Sequence, residues 1–169
     1  MSRTGFTTTD DRDQVLRWTK PPERVISLVP SDTYSIVRLG AGARLVGRTR
    51  YCVAPVGEVE GIAIVGGTKD ADVDRILALS PDVVIANKEE NTRHDIVRLI
   101  EAGARVYVSF PRTVASGLAH LARLARLLFG NQPAPAARAL IGEAYAKHAQ
   151  IERARGERAP VRVFVPIWT

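Results

Sequence analysis

From residue 23 onward, short apolar runs alternate with stretches in which apolar residues recur every three or four positions. The short runs are mostly rich in β-branched residues and are too short for helices, so they predict buried strands. They cover residues 24–28, 44–47, 82–86 and 105–108. Strands that alternate with helices predict an α/β fold, in which a mostly parallel sheet is flanked by helices.

The segments between the strands carry helix start and stop signals. An Ala-Gly-Ala-Arg repeat marks two equivalent helix-to-strand corners, where Gly42 and Gly103 are expected to end the helices. An alanine-rich stretch over 136–155 predicts a longer helix of about 30 Å at ~1.5 Å per residue. One stripe of this helix is expected to face protein, namely Leu140, Ala144, Tyr145, His148 and Ile151. The other predicted helices cover residues 32–39, 73–79, a segment starting at Asn91 or Thr92, and 113–129, with Thr92 and Thr113 as caps.

The same pattern divides the chain of 169 residues into four segments. Two β-rich runs around an Asp-rich turn predict a hairpin extension within residues 1–22. Residues 23–132 form the predicted α/β lobe, and residues 133–158 the long linker helix. Residues 159–169 are expected to be the first strand of a second α/β unit, which we expect to be missing.

Charge and cysteine content narrow the class of partner. Lys and Arg number 24 against 18 Asp and Glu, a formal net charge of +6. The arginines are spread singly, without an aromatic-interleaved basic strand, so no nucleic-acid partner is predicted. The single cysteine, Cys52, excludes a secreted disulfide framework. Residues 1–30 contain no signal-peptide pattern and no apolar run could span a bilayer, so a cytoplasmic location stays open.

Catalytic and metal-binding patterns are lacking. The Gly66–Lys69 stretch does not have the spacing of a phosphate-binding loop, and no nucleophile motif is found. His94, His120 and His148 lie on three different predicted helices, so no metal site is predicted. The sequence therefore favours a protein that is not an enzyme.

Polar and aromatic residues follow the predicted strands instead. The carboxyl ends of parallel strands share one edge of a sheet, where ligands bind. These residues therefore predict a ligand cleft at that edge. The candidates are Pro30, Ser31, Asp32, Thr33, Tyr51, Gly66, Gly67, Thr68, Asn87, Lys88 and Glu89.

Several of these segments carry a family resemblance. The motifs are Arg-Val-Ile-Ser-Leu-Val-Pro-Ser at 24–31, Leu-Val-Gly-Arg-Thr-Arg-Tyr-Cys at 45–52, Val-Gly-Gly-Thr-Lys at 65–69, Ile-Leu-Ala-Leu-Ser-Pro-Asp-Val-Val-Ile-Ala at 76–86 and Asn-Lys-Glu-Glu-Asn at 87–91. In order and spacing they resemble the N-terminal lobe of the helical-backbone substrate-binding proteins of ABC importers. That group carries cobalamin, ferric siderophores and haem, and the match is closest to its cobalamin-binding members.

The resemblance implies a fold and a function. The fold is the N-terminal lobe of a class III periplasmic binding protein, followed by a long backbone helix, with the first strand of the second lobe at 161–166. The function is that of the receptor component of an importer, which captures cobalamin or another metal chelate and delivers it to an ABC permease. The chelate is a ligand and not a prosthetic group, and the location is periplasmic or the cell surface.

The resemblance has implications for three further positions. Tyr51 matches an aromatic position that lies against the corrin ring, whereas Thr68 lies near a position that is Trp in one branch. Asp74 aligns with an acidic residue that docks on permease arginines. A first-turn acid that stabilises the helix dipole explains Asp74 equally well.

Two further hypotheses remain from the sequence. The absence of a leader favours, as an alternative, a cytosolic enzyme or accessory protein of corrinoid metabolism. An unpaired apolar strand at 161–165, with Trp168, also predicts possible self-association through edge pairing.

Overall fold

The computed structural model describes residues 5–156, 158–159 and 161–164. Its helices and strands alternate as the apolar pattern predicts. In chain order they are β1 (Phe6–Thr9), β2 (Val15–Trp18), β3 (Val25–Ser27), α1 (Pro30–Arg38), β4 (Leu45–Arg48), β5 (Ala63–Ile64), α2 (Val73–Ala78), β6 (Val83–Asn87), α3 (Arg93–Glu101), β7 (Val106–Ser109), α4 (Val114–Phe129) and α5 (Pro135–Arg155), with a 3-10 turn at Gly42–Arg44.

Five strands form one parallel sheet in the order β5-β4-β3-β6-β7. This confirms the predicted α/β fold with a parallel sheet. Strand β5 was not predicted, because it has two residues and pairs with β4 only through Ala63 and Ile64.

Apolar side chains fill both faces of the sheet. Along β6, Val83 and Ile85 belong to one core, whereas Val84 and Ala86 belong to the other. The first core lies under α1, α4 and the start of α5, and the second under α2 and α3. Burial on both faces explains why the strands read as continuous apolar runs.

The N-terminal hairpin, β1 with β2, packs onto this lobe. Phe6 and Trp18 stack with ring centroids 6.3 Å apart and belong to the first core. The turn between the strands lies along the outer edge of β7. There Asp11 N–H donates to the Val108 carbonyl (3.0 Å), and the Asp10 carboxylate accepts from Val108 N–H (3.1 Å). The turn thus occupies backbone groups that the edge strand would otherwise expose.

One predicted helix corner is wrong. Gly103 has a positive φ of 85° after α3, as expected, but after α1 it is Gly40 (φ 89°) and not Gly42 that takes this conformation. Ala41 then donates to Ile36, as Ala104 does to Leu99. Gly40, two residues before Gly42, is therefore the structural counterpart of Gly103. The offset arises because the 3-10 turn adds residues between α1 and β4.

The predicted helix caps are present. The Thr92 hydroxyl accepts from Asp95 N–H at 3.1 Å at the start of α3. Thr113 forms a reciprocal capping box with Ser116 at the start of α4. Both helices start where the sequence predicts.

The long helix α5 has 21 residues, close to its predicted bounds. Its first turns pack on the lobe through Ala137, Leu140 and Ile141. Farther along, Tyr145 and Ile151 are exposed, although the predicted stripe placed them against protein. Residues 161–164 form no strand, and residues 160 and 165–166 lie outside the described residues. The strand of a second lobe, and the division of the chain into four segments, stay predictions.

Candidate functional site

The carboxyl ends of β3, β4, β5, β6 and β7 meet at one edge of the sheet, because the strands are parallel. We call the segments that follow these strands the rim. It comprises residues 28–33, 49–53, 65–70, 87–91 and 109–112. All the predicted ligand residues lie in these segments.

Asn91 ties three rim segments together. Its side chain is buried, and its amide donates to the Leu28 carbonyl (3.1 Å) and the Thr68 carbonyl (3.0 Å). Its oxygen accepts from Asn87 N–H (2.8 Å). Lys69 adds a further link by donating to the Glu89 carbonyl. The sequence indicated Asn91 as a possible helix start and as the last residue of the polar segment 87–91. It did not predict these contacts, because they depend on how the strands are ordered.

Asn87, a predicted ligand residue, is also part of this support. Its side-chain oxygen accepts from the N–H groups of Glu89 (2.8 Å) and Glu90 (3.2 Å). Its amide donates to the Ser109 hydroxyl (3.2 Å). Asn87 therefore fixes the turn that presents the exposed Lys88 and Glu89.

Tyr51 presents its aromatic ring at the rim, with 55% of the residue exposed. The Arg50 guanidinium lies 5.8 Å from the ring centroid and forms two hydrogen bonds with the Asp70 carboxylate (3.0 and 2.9 Å). This guanidinium holds the pKa of Asp70 below its ordinary value, and the carboxylate in turn raises the pKa of Arg50. The ion pair thus links the loop after β4 to the loop after β5.

Gly66 and Gly67 allow this link to form. Gly66 has a φ of 96°, and a Cβ there would lie 2.4 Å from the Asp70 carbonyl oxygen. A Cβ on Gly67 would lie 2.1 Å from the Asp70 carboxylate and 2.4 Å from Arg50. The ion pair therefore covers the Gly67 backbone, which is buried.

The first rim segment is the first turn of α1, where Pro30 is half-buried and Ser31 is exposed. Asp32 is buried, and its Oδ1 lies 2.7 Å from Nε2 of the buried His120 on α4. Thr33 is buried as well and donates to the Val29 carbonyl at 3.0 Å. Ser31 is thus the open position of this turn, whereas the side chains of Asp32 and Thr33 hold α1 in place.

The rim has a second aromatic side chain, Phe110, which the sequence reasoning missed. It follows β7, at the opposite side of the sheet from β4 and β5. Two cations lie over its ring: Lys88 Nζ is 4.9 Å and Arg112 Cζ 5.6 Å from the centroid. An aromatic residue directly after a predicted strand was the signal that could have found it.

The model of a family described as periplasmic binding protein matches residues 25–165 of the chain. The chain belongs to this family. The vitamin B12-binding protein of Pectobacterium atrosepticum is 29% identical over 154 residues, which is 88% of this chain and 53% of that protein. The chain thus spans about half the length of such relatives.

Solved structures show the same fold. The periplasmic vitamin B12-binding protein of Vibrio cholerae has a TM-score of 0.74 at 23% identity, over 83% of this chain and 54% of that one. An iron uptake ABC transporter substrate-binding protein of Streptococcus pneumoniae has a TM-score of 0.73 at 20% identity, over 94% and 56%. These proteins are named for vitamin B12 binding and for iron uptake.

Asp74, the remaining predicted site residue, lies on α2. Its side chain is 91% exposed, and its carboxylate is 3.9 Å from the Arg98 guanidinium on α3. The Asp72 side chain, not Asp74, caps the helix by accepting from Arg75 N–H. The Asp74 carboxylate is thus accessible to solvent.

The described residues contain no group of three His, Cys, Asp or Glu side chains placed to hold a metal ion. Within the same part of the chain, no helix is long and apolar enough to cross a membrane. The rim instead offers two aromatic rings, cations and backbone groups fixed by cross-links between loops. Such a surface suits noncovalent binding of a flat ligand.

Proposed function

We propose that this chain forms the N-terminal ligand-binding wall of a substrate-binding protein for an ABC importer. Its ligand is cobalamin or a related metal chelate. The observation that carries the proposal is the exposed ring of Tyr51, held at the rim by the Arg50–Asp70 ion pair. A large macrocycle gains most of its binding energy from such rigid aromatic area. The names of the relatives supply the ligand class.

The proposal includes the remaining parts of a receptor. The ligand is delivered to an ABC permease, for which the exposed Asp74 is a docking residue. The site of action is the periplasm or the cell surface. Residues 23–132 are one lobe, α5 is the helix that joins it to a second lobe, and edge pairing of residues 161–165 allows self-association.

Titration with cyanocobalamin tests the proposal. One lobe alone buries roughly half of the ligand surface that a closed two-lobed cleft would bury. The entropy lost when ligand and protein associate is the same in both cases, so we expect a Kd weaker than about 1 μM. Tyr51→Ala should weaken this binding at least threefold. Tyr145→Ala removes a similarly exposed tyrosine from α5 and is the control.

The outcomes are distinct. Equal binding by wild type and Tyr51→Ala would show that Tyr51 is not central to ligand binding. Submicromolar binding would contradict the single-wall description. Failure of cyanocobalamin to bind at any concentration up to its solubility would contradict the proposed ligand.

A further inference from the structure

The rim has one aromatic–cation group on each side of the sheet, and the two differ in charge. On the β4–β5 side, the Arg50 charge beside Tyr51 is balanced by Asp70 at 2.9 Å. On the β7 side, Lys88 and Arg112 both lie within 6 Å of the Phe110 ring. We call Lys88, Phe110 and Arg112 the Phe110 cluster.

The Phe110 cluster lacks a carboxylate partner within the described residues. No acidic side chain there lies within 4 Å of the Lys88 or Arg112 charge. The nearby Asp11 carboxylate is taken by Arg123 (2.7 Å) and by Phe110 N–H (2.6 Å). Two like charges are therefore held near one ring without an internal counterion.

Other carboxylates near the cluster do not pair with it within the described residues. Glu89 and Glu90 follow Lys88 in the same turn, but neither forms an ion pair with Lys88 or Arg112. Arg93, in the first turn of α3, adds a further positive charge. The first turn of α4, which begins after Thr113, contains no acidic residue.

The cluster is fixed by its backbone. Lys88 N–H donates to the Ser109 carbonyl at 2.9 Å, and Arg112 N–H donates to the Ser116 hydroxyl at 2.9 Å. Phe110 N–H is held by Asp11. Because the protein already keeps these charges together, a bound anion does not need to order the backbone segments that carry them.

We propose that the Phe110 cluster is a subsite for an anionic group, a carboxylate or a phosphate, on the periphery of the ligand. The inference rests on the proposed function and narrows its ligand class: the flat face of the macrocycle lies against Tyr51, and an anionic edge lies at Lys88 and Arg112. Lys88 and Arg112 then determine specificity for charged over neutral derivatives of one macrocycle.

Matched corrinoids test this subsite. A monocarboxylic acid of cyanocobalamin differs from cyanocobalamin by one hydrolysed amide, so it adds one negative charge at nearly constant shape. We expect the acid to bind the wild-type chain roughly three- to fivefold more tightly, as solvent-exposed charge pairs allow. In the double variant Lys88→Gln/Arg112→Gln this preference should disappear.

A second pair of probes distinguishes phosphate from carboxylate. Dicyanocobinamide lacks the phosphodiester that cyanocobalamin carries. Weaker binding of dicyanocobinamide by wild type, but not by the double variant, would assign the subsite to phosphate. A preference for the acid that depends on the cluster would assign it to carboxylate, and either result supports the proposal.

The control is Arg98→Gln/Lys147→Gln, which removes two exposed positive charges from α3 and α5. It should keep the wild-type preferences, and circular dichroism should show both double variants folded. If wild type distinguishes neither pair of corrinoids, or if the control loses the preference equally, the subsite is refuted while corrinoid binding stands. If no corrinoid binds the wild-type chain, the proposed function and the subsite both fail.

Discussion

The rim and the distal half of α5 are stabilised in different ways. At the rim, contacts join residues far apart in the chain: the bond from Asn91 to the Leu28 carbonyl spans 63 positions. In α5 beyond Ile141, most side chains are exposed, and the ion pair of Glu152 with Arg155 lies one turn apart in solvent. Long-range contacts make the rim cooperative with the whole lobe. Although His148 and Ile151 line a shallow pocket together with Val114, most side chains of the distal helix are exposed, so we expect it to unfold separately from the lobe.

The largest expected effect comes from removing the link at the centre of the rim. Asn91→Ala removes three hydrogen bonds, one buried and two part-buried, and leaves their partners unsatisfied, which should cost about 3 kcal/mol of unfolding free energy. Urea denaturation measures this loss. Asn131→Ala, at an exposed position, is the control and should change stability by less than about 0.5 kcal/mol. A similar small change for Asn91→Ala would show that the rim is not cooperative with the lobe.

An alanine-to-glycine substitution, made once in α4 and once in distal α5, tests whether distal α5 unfolds separately from the lobe. Ala125→Gly, at a fully buried site in α4, should cost about 2 kcal/mol through lost helix propensity and lost burial. Ala149→Gly, exposed in distal α5, should change global stability by less than about 0.5 kcal/mol while lowering the helical circular dichroism signal. Equal costs at the two positions would mean that distal α5 unfolds together with the lobe.

The smallest expected effect concerns the ion pair beside Tyr51. Because Arg50 lowers the pKa of Asp70 in the folded state, the pair contributes stability above the ordinary aspartate pKa. That contribution is lost as the pH falls through the pKa of folded Asp70. In Arg50→Gln, the Asp70 pKa should rise towards its ordinary value, as carboxyl carbon NMR would measure.

The matched control for this ion pair is Arg75→Gln, which removes an exposed positive charge from α2 and should leave the Asp70 titration unchanged. The stability difference between wild type and Arg50→Gln should narrow in acid. A difference that is constant from neutral pH to below the Asp70 pKa would show that the ion pair does not stabilise the fold.

Features set by neighbours in the chain could be predicted from the sequence. The strands β3, β4, β6 and β7 follow from apolar runs, and the caps at Thr92 and Thr113 follow from hydroxyls placed three residues before their partners. The parallel order of the strands also placed the candidate ligand residues at one edge. The family resemblance named the class of protein to which the chain belongs.

Features set by distant contacts could not be predicted. Asp32 was expected at the cleft, but its partner His120 lies 88 residues away, and only the packing of α4 against α1 brings the two together. The repeat predicts Gly42 as the end of α1, whereas the residue with the positive φ at that corner is Gly40. The roles of Asn91 and Phe110 likewise depend on which strands are neighbours.

The hairpin turn beside β7 has a consequence for solubility. Arg12 donates to the Val106 carbonyl at 2.7 Å, and with Asp10 and Asp11 it occupies backbone groups through which another chain could extend the sheet. A truncated chain that lacks residues 1–18 would expose the edge of β7 to other copies of the chain. The hairpin therefore protects the β7 edge against edge-to-edge pairing between copies of this chain.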